Sequence, residues 1–351
     1  MSARSETYLH GHHDSVLRSH RWRTAENSAG YLLARVRPGA RILDVGCGPG
    51  TITVDLAARV PGGQVIGIDA AAGLLDEARA EAGRRGLANV RFGTGDVYRL
   101  AFGDGTFDVV HAHQVLQHLS DPVAALAEMR RVCRPGGLVA ARDSDYGGMF
   151  WYPEDPELAE WRELYREVAR ALGGEPDAGR RMLAWARAAG FAEVQATASS
   201  WCYTGPADRA WWGTLWAQRL TESPFGDRAA EQGLATRADL ERLARAWLRW
   251  ADSEDGWFFI PHGEIIGSAL DETATGVRSR PSAVAACRQR PRPGGRGAGI
   301  NGPFGEKENF CAERAVVPAA GHMFIGALAK PMLWWTPSHQ FHTSSCTGPA
   351  T

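Results

Sequence analysis

The stretch Ile42-Leu43-Asp44-Val45-Gly46-Cys47-Gly48-Pro49-Gly50 is an apolar strand running into a G-x-G-x-G turn. Glycines so spaced suit a sharp turn that a ligand approaches closely, with no Cβ between them. A helix predicted from Thr51 would add free N–H groups and the positive end of its dipole. A second apolar strand ends in Asp69, 19 residues after Gly50, where a carboxylate can accept from a ribose diol. Gly95-Asp96-Val97 follows a third strand and offers a carboxylate to an adenine amino group, although Asp96 would also serve as a helix N-cap. Together these pieces describe a nucleoside-binding cleft.

Two cofactor classes share the first two pieces. A dinucleotide fingerprint reads G-x-G-x-x-G, and Thr51 stands where its third glycine belongs. The shorter spacing, with Asp44 before it, is joined by two further motifs. One is Phe107-Asp108-Val109-Val110-His111-Ala112-His113-Gln114-Val115-Leu116-Gln117-His118-Leu119, and the other is the Arg-Arg-Val-Cys-Arg-Pro-Gly-Gly turn at 130–137. Over residues 38–145 the chain resembles class I S-adenosylmethionine-dependent methyltransferases, and among them the small-molecule enzymes of the ubiquinone/menaquinone-biosynthesis type. The resemblance implies S-adenosyl-L-methionine as cofactor, lined by Gly46, Gly48 and Gly50, with Asp44 and Ala70 beside it. It implies that Asp69 holds the ribose hydroxyls, that Asp96 and Val97 border the adenine, and that His113 and Gln114 meet the methionine end. The quinone-specific signatures are missing, so the resemblance speaks for the reaction and leaves the acceptor open.

Candidates for a catalytic base are weak. His118 opens a helix, while Asp145 and His262 fall where the carboxyl ends of strands should face the cleft. Asp143, Tyr146 and Glu264 share that placement, and a structural role is favoured for each. His10, His12 and His13 have no carboxylate or cysteine set to complete a metal site, so no metal is expected; folding of this segment over the cofactor is the alternative. Cys47 reads as a small packing residue, since nothing adjacent would lower its thiol pKa. Methyl transfer from a sulfonium can proceed by alignment and desolvation, so a missing base does not argue against an enzyme.

The elements that must position these residues follow from periodicity. Strands are predicted at Arg41–Val45, Gln64–Ile68, Val90–Phe92, Phe107–Ala112 and Gly137–Arg142. Helices are predicted between them at Thr51–Arg59, Ala72–Arg85 and Pro122–Val132. That alternation means βαβ units and parallel pairing. Further helices are expected at Trp22–Val36, 157–171, 177–189, 207–220 and 236–250, and strands at Phe191–Thr197 and Trp257–Ile266. The fold expected is an α/β, Rossmann-like, mostly parallel seven-stranded sheet with helices on both faces and a helical cap. Ten of the 13 tryptophans fall between Trp151 and Trp257. Most should pack in a core, with some of Trp201, Trp211, Trp212 and Trp216 left to line an apolar or aromatic pocket.

Composition adds a boundary. The chain has 351 residues and a net charge of −1, which disfavours binding nucleic acid by bulk charge. No lysine precedes Lys307, whereas residues 268–351 hold seven arginines and two lysines against five acids. Three units are therefore expected: an amino-terminal cap segment (1–37), a methyltransferase domain (38–267) with a helical insertion near 200–255, and a low-complexity, disordered tail (268–351). No apolar run reaches the ~18 residues of a membrane span, and no secretory leader is read, so a cytoplasmic protein with reduced thiols is expected. The function expected is methyl transfer to a small apolar or aromatic metabolite. An RNA or protein methyltransferase, a nucleotide-dependent oxidoreductase and a cofactor-binding regulator without catalysis are the alternatives; the oligomeric state is not legible.

Overall fold

A computed structural model describes Leu9, Gly11 and residues 13–269 of the chain. Helix α1 (Asp14–Arg21) and helix α2 (Ala25–Leu33) precede the sheet. The helix expected over Trp22–Val36 is shorter, Ala25–Leu33, and α1 before it has no counterpart in the sequence reading; Thr24 sets the start of α2. Its side chain accepts from the Asn27 amide while Asn27 accepts from the Thr24 amide, so α2 starts there. Then come β1 (Arg41–Val45), α3 (Thr51–Arg59), β2 (Gln64–Asp69), α4 (Leu75–Arg84), β3 (Val90–Thr94) and β4 (Phe107–His113). Helix α5 (Pro122–Val132) starts at Asp121, whose carboxylate accepts from the Ala124 amide at 3.0 Å, with Pro122 in the first turn.

Strand β5 (Cys133–Ser144) starts four residues earlier than its periodicity suggests, because Pro135-Gly136-Gly137 is absorbed as an irregularity in its pairing with β4. The second half holds β6 (Phe150–Tyr152), α6 (Pro156–Ala171), α7 (Met182–Ala188) and β7 (Val194–Tyr203). It ends with α8 (Pro206–Glu222), α9 (Pro224–Glu231), α10 (Arg237–Asp252) and β8 (Trp257–Ser268). Helix α9 was not anticipated; the Ser223 hydroxyl, accepting from the Phe225 amide, restarts the chain as a separate helix.

The sheet order is β3-β2-β1-β4-β5-β8-β6, with β7 also paired to β8. Strands β1 to β5 run parallel, and β8 is antiparallel to β5, β6 and β7. The sheet thus has eight strands, the extra one being three-residue β6 beside the first half of β8. Residues alternate between two cores: Ile42 packs with α2 and α3, Leu43 with α5 and α7. A third core lies in the cap, where Trp161 meets Trp216 and Trp247 edge-on at 4.5 and 4.7 Å. Burying rings of that size contributes about 2–3 kcal/mol each, so most cap tryptophans hold the cap together. Ala269, the last described residue, pairs through its amide and carbonyl with Gly137 and Gly136. The tail read as disordered lies, from residue 270 on, outside the described residues.

Candidate active site

The turn after β1 is shaped by backbone conformation. Gly46 has φ +68°, and a Cβ there would stand 2.4 Å from Val115 Cγ2. Gly50 has φ +81° and a Cβ would meet Ala78 Cβ at 2.6 Å, so glycine lets α3 start against α4. The Cys47 amide donates to the Ile68 carbonyl at 2.9 Å. Asp69 accepts from the amides of Gly48 and Ala71, each at 2.9 Å, which uses two of about four acceptor sites on a carboxylate. Asp44 is buried and accepts from Thr53 Oγ1 at 2.6 Å and from His111 Nδ1 at 2.8 Å, joining β1, α3 and β4.

A cavity of about 910 Å³ opens beside this turn. Its first side comprises Asp44, Gly46, Gly48, Asp69, Ala70 and Gly95 to Val97. Its other side is built by the cap and the ends of β7 and β8, with Trp201, Tyr203, Trp212, Arg219, Arg228 and Ile260. The last turn of α1 and the residues after it complete the cavity with His20, Trp22 and Arg23. That segment is tied down, since Thr51 Oγ1 donates to the His20 carbonyl at 3.3 Å and Arg21 pairs with Glu77 at 2.6 Å.

Gln114 joins the two sides. It follows β4 with φ +52°, a left-handed conformation that is rare outside glycine. Arg23 donates to its Oε1 at 2.6 Å, and its Nε2 lies 2.9 Å from His262 Nε2. His262 Nδ1 faces the Ile260 carbonyl at 3.1 Å, which can only accept. The neutral ring therefore donates through Nδ1 and accepts from Gln114 through Nε2.

A methyltransferase domain model matches residues 42–137. "Uncharacterized methyltransferase C1B3.06c" of Schizosaccharomyces pombe is 38% identical over 270 residues, covering 74% of this chain and 95% of its own. The chain belongs to the class I S-adenosylmethionine-dependent methyltransferases. A second relative, "Probable methyltransferase ltbC" of Aspergillus luteorubrus, is 31% identical over 284 residues, 76% of this methyltransferase and 98% of that one. "Nocamycin O-methyltransferase" of Saccharothrix syringae is 33% identical over 205 residues, 52% of this chain and 70% of its own.

In this methyltransferase the fold brings Asp44, Gly46, Gly48, Asp69, Ala70, Asp96, Val97, His113 and Gln114 to one cavity, while Gly50 packs behind it against Ala78 and Phe92. Asp96 also binds its own turn, accepting from the Tyr98 amide at 2.9 Å. Of the three weak catalytic candidates, His118 lines the cavity. Burial, with Arg23 nearby, pushes its pKa down to about 3, and such a ring is a poor proton acceptor near neutral pH. Asp145 is not in the lining: its carboxylate is filled by Arg180 at 2.6 and 2.7 Å and by the Gly148 amide. His262 lies behind Gln114, held neutral by burial and by Arg142.

Tyr146 also lines the cavity, whereas Glu264, Asp143 and His13 have structural partners. Glu264 is buried with Arg142, Thr197 and Ser199. Burial pushes Asp143 up to about 7, and the Gln117 amide donates to it at 3.2 Å. His13 caps α1 through Nδ1; His10 and His12 lie outside the described residues. Among the described residues no three His, Cys, Asp or Glu side chains form a metal-ligand set, and no helix is long and apolar enough to cross a membrane. Sequence reasoning missed Tyr203, Arg23, Arg219 and Arg228. For Arg219 a signal existed: it lies three residues after Trp216 on α8, hence on the apolar helix face.

Proposed function

We propose that this cavity binds S-adenosylmethionine on its glycine side and a small apolar or aromatic acceptor on its cap side. The observation that carries the reading is the continuity of one cavity from the Gly46–Gly48 turn and Asp69 to Trp201, Tyr203 and Trp212. The residues present suit the cofactor. Asp69 keeps acceptor capacity for a ribose diol, and Asp96 and Val97 suit the base. Gln114 and His113 border the passage to the acceptor. When bound, the cofactor supplies an electrophilic methyl group on a sulfonium.

The chain's own part is alignment and exclusion of water. Trp22 and Arg23 cover the cavity from one side and α8 from the other, so the acceptor is held in line in a medium poorer in water than the surface. The acceptor space lies among aromatic rings beneath these segments, which favours a small molecule over RNA or protein. The test is transfer of labelled methyl from S-adenosylmethionine to a metabolite panel, with total RNA and a protein extract in parallel. Label in small molecules is expected; label in macromolecules alone would refute the reading.

A further inference from the structure

We propose that the acceptor is an oxyanion — a carboxylate, enolate or phenolate on a planar apolar body — methylated on that oxygen without a protein base. The inference rests on the cofactor-and-acceptor division of the cavity given above. Charge along the lining is its first support. The acids of the described lining are Asp44, Asp69 and Asp96, all at the ends of β1, β2 and β3. Its arginines are Arg23, Arg219 and Arg228, which come from the amino-terminal segment, α8 and α9. The acceptor side therefore presents cations and no described carboxylate that would hold an amine. Arg219 is buried, its guanidinium 4.8 Å from the Trp216 ring, and donates to Ser19 Oγ at 2.6 Å. A guanidinium so placed brings fixed positive charge to an apolar wall.

The second support is independent of charge. The Tyr203 hydroxyl and Trp212 Nε1 are buried and have no hydrogen-bond partner among the described residues. Burial pushes the Tyr203 phenol up, so it keeps its proton and acts as a donor. A buried donor without an acceptor is costly, and oxygens on an acceptor molecule would relieve it. The two rings stack at 4.5 Å and 12°, a flat wall suited to a planar body. The third support is the shortage of bases. The lining holds three imidazoles: burial lowers His113 and His118, so neither readily takes a proton from a neutral alcohol, and His20 stands over the Gly48 turn on the cofactor side, its Nδ1 3.9 Å from the place of a Gly48 Cβ.

The step balances without a proton. A lone pair of the acceptor oxygen forms the new C–O bond, and the pair of the broken S–CH₃ bond stays on sulfur. A negative oxygen and a positive sulfonium become a neutral ester or ether and a neutral thioether. Loss of both charges favours a water-poor cavity, where separated charges are least well solvated.

The experiment is calorimetry on the full chain saturated with S-adenosylhomocysteine, at pH 8. The probes are 2-naphthoate, 4-nitrophenolate and the enolate of a cyclic 1,3-diketone, each beside an uncharged isostere, with 2-naphthylmethylamine, an alkylamine protonated at pH 8, as the cationic comparison. At least one anion should bind ten-fold or more tightly than its isostere, and the arm that does so names the oxygen type. Tyr203→Phe and Arg228→Gln should each weaken that anion about ten-fold while the affinity for S-adenosylhomocysteine stays unchanged. Isosteres or the amine binding as well as the anions, or no binding of any anion, would overturn the proposal. Failure of S-adenosylhomocysteine itself to bind would instead overturn the underlying reading of the cavity, and this proposal with it.

Discussion

The two sides of the cavity are made of different material. The glycine side is largely backbone: Gly46 and Gly48 in left-handed conformations, and amides of 48 and 71 gathered by Asp69. It lies between parallel strands whose register fixes it, and Asp44 bolts β1 to both α3 and β4. The cap side is side chains, with Tyr203 from the end of β7, Trp212 and Arg219 from α8 and Arg228 from α9. A backbone wall cannot be altered without straining the sheet beneath it. A side-chain wall can be exchanged residue by residue, which suits an acceptor site that must be specific.

That contrast can be broken by substitution, and the largest effect belongs on the glycine side. Gly46→Ala forces a Cβ to within 2.4 Å of Val115 Cγ2 at φ +68°. Left-handed strain of about 1–2 kcal/mol and overpacking of about 1–3 kcal/mol should together destabilise the fold by about 2–5 kcal/mol. Chemical denaturation measures this, and a cost under about 0.5 kcal/mol would show that the turn is not held as described.

A second effect tests the buried end of β5, where the Gln117 amide reaches Asp143. Asp143 has a folded pKa of about 7, against 3.8 ordinarily, because it is buried. Between about pH 4 and 7 the folded protein keeps a proton that the unfolded chain releases. This contribution to stability is full below pH 4 and is lost as pH rises to 7. Asp143→Asn should therefore stabilise the protein at pH 8 by at most about 4 kcal/mol, at ~1.4 kcal/mol per pKa unit, with the difference vanishing near pH 4. Urea unfolding of both proteins at pH 4, 6 and 8 reads the sign.

Asp69→Ala comes next. It removes the acceptor of two loop amides and the proposed ribose contact, and should weaken S-adenosylhomocysteine binding by about 1–3 kcal/mol. The smallest effect is expected at the boundary. The last described residue, Ala269, is tied to Gly136 and Gly137, and a chain ending there should bind S-adenosylhomocysteine within about two-fold of the full chain. Loss of binding in the shorter chain would place residues 270–351 in the functional unit.

The glycine side was legible in sequence because it is local. Strand, turn and helix follow one another, and α3 and α5 start where Gly50, Asp121 and Pro122 dictate. The gathering of these residues into one place follows from short connections between parallel strands and their helices. The cap side was hidden for the opposite reason. Tyr203 lies beyond the expected strand end at Thr197, because β7 is exposed along Gln195–Ser200 and shows no alternation of apolar residues. Arg23 reaches Gln114 across 91 residues, and Arg219 reaches Ser19 across 200. No local pattern announces contacts of that separation. Asp145 and His262 were placed near the right strand ends, yet partners that only the tertiary fold supplies, Arg180 and Gln114, occupy them.

The most direct test of the divided cavity is one calorimetric titration of S-adenosylhomocysteine into the unmodified protein, Asp69→Ala and Tyr203→Phe. Binding to the unmodified protein, a loss of ten-fold or more in Asp69→Ala, and no change in Tyr203→Phe are predicted, ten-fold being ~1.4 kcal/mol. An unchanged affinity in Asp69→Ala, or a loss confined to Tyr203→Phe, would contradict the division of the cavity into a cofactor side and an acceptor side.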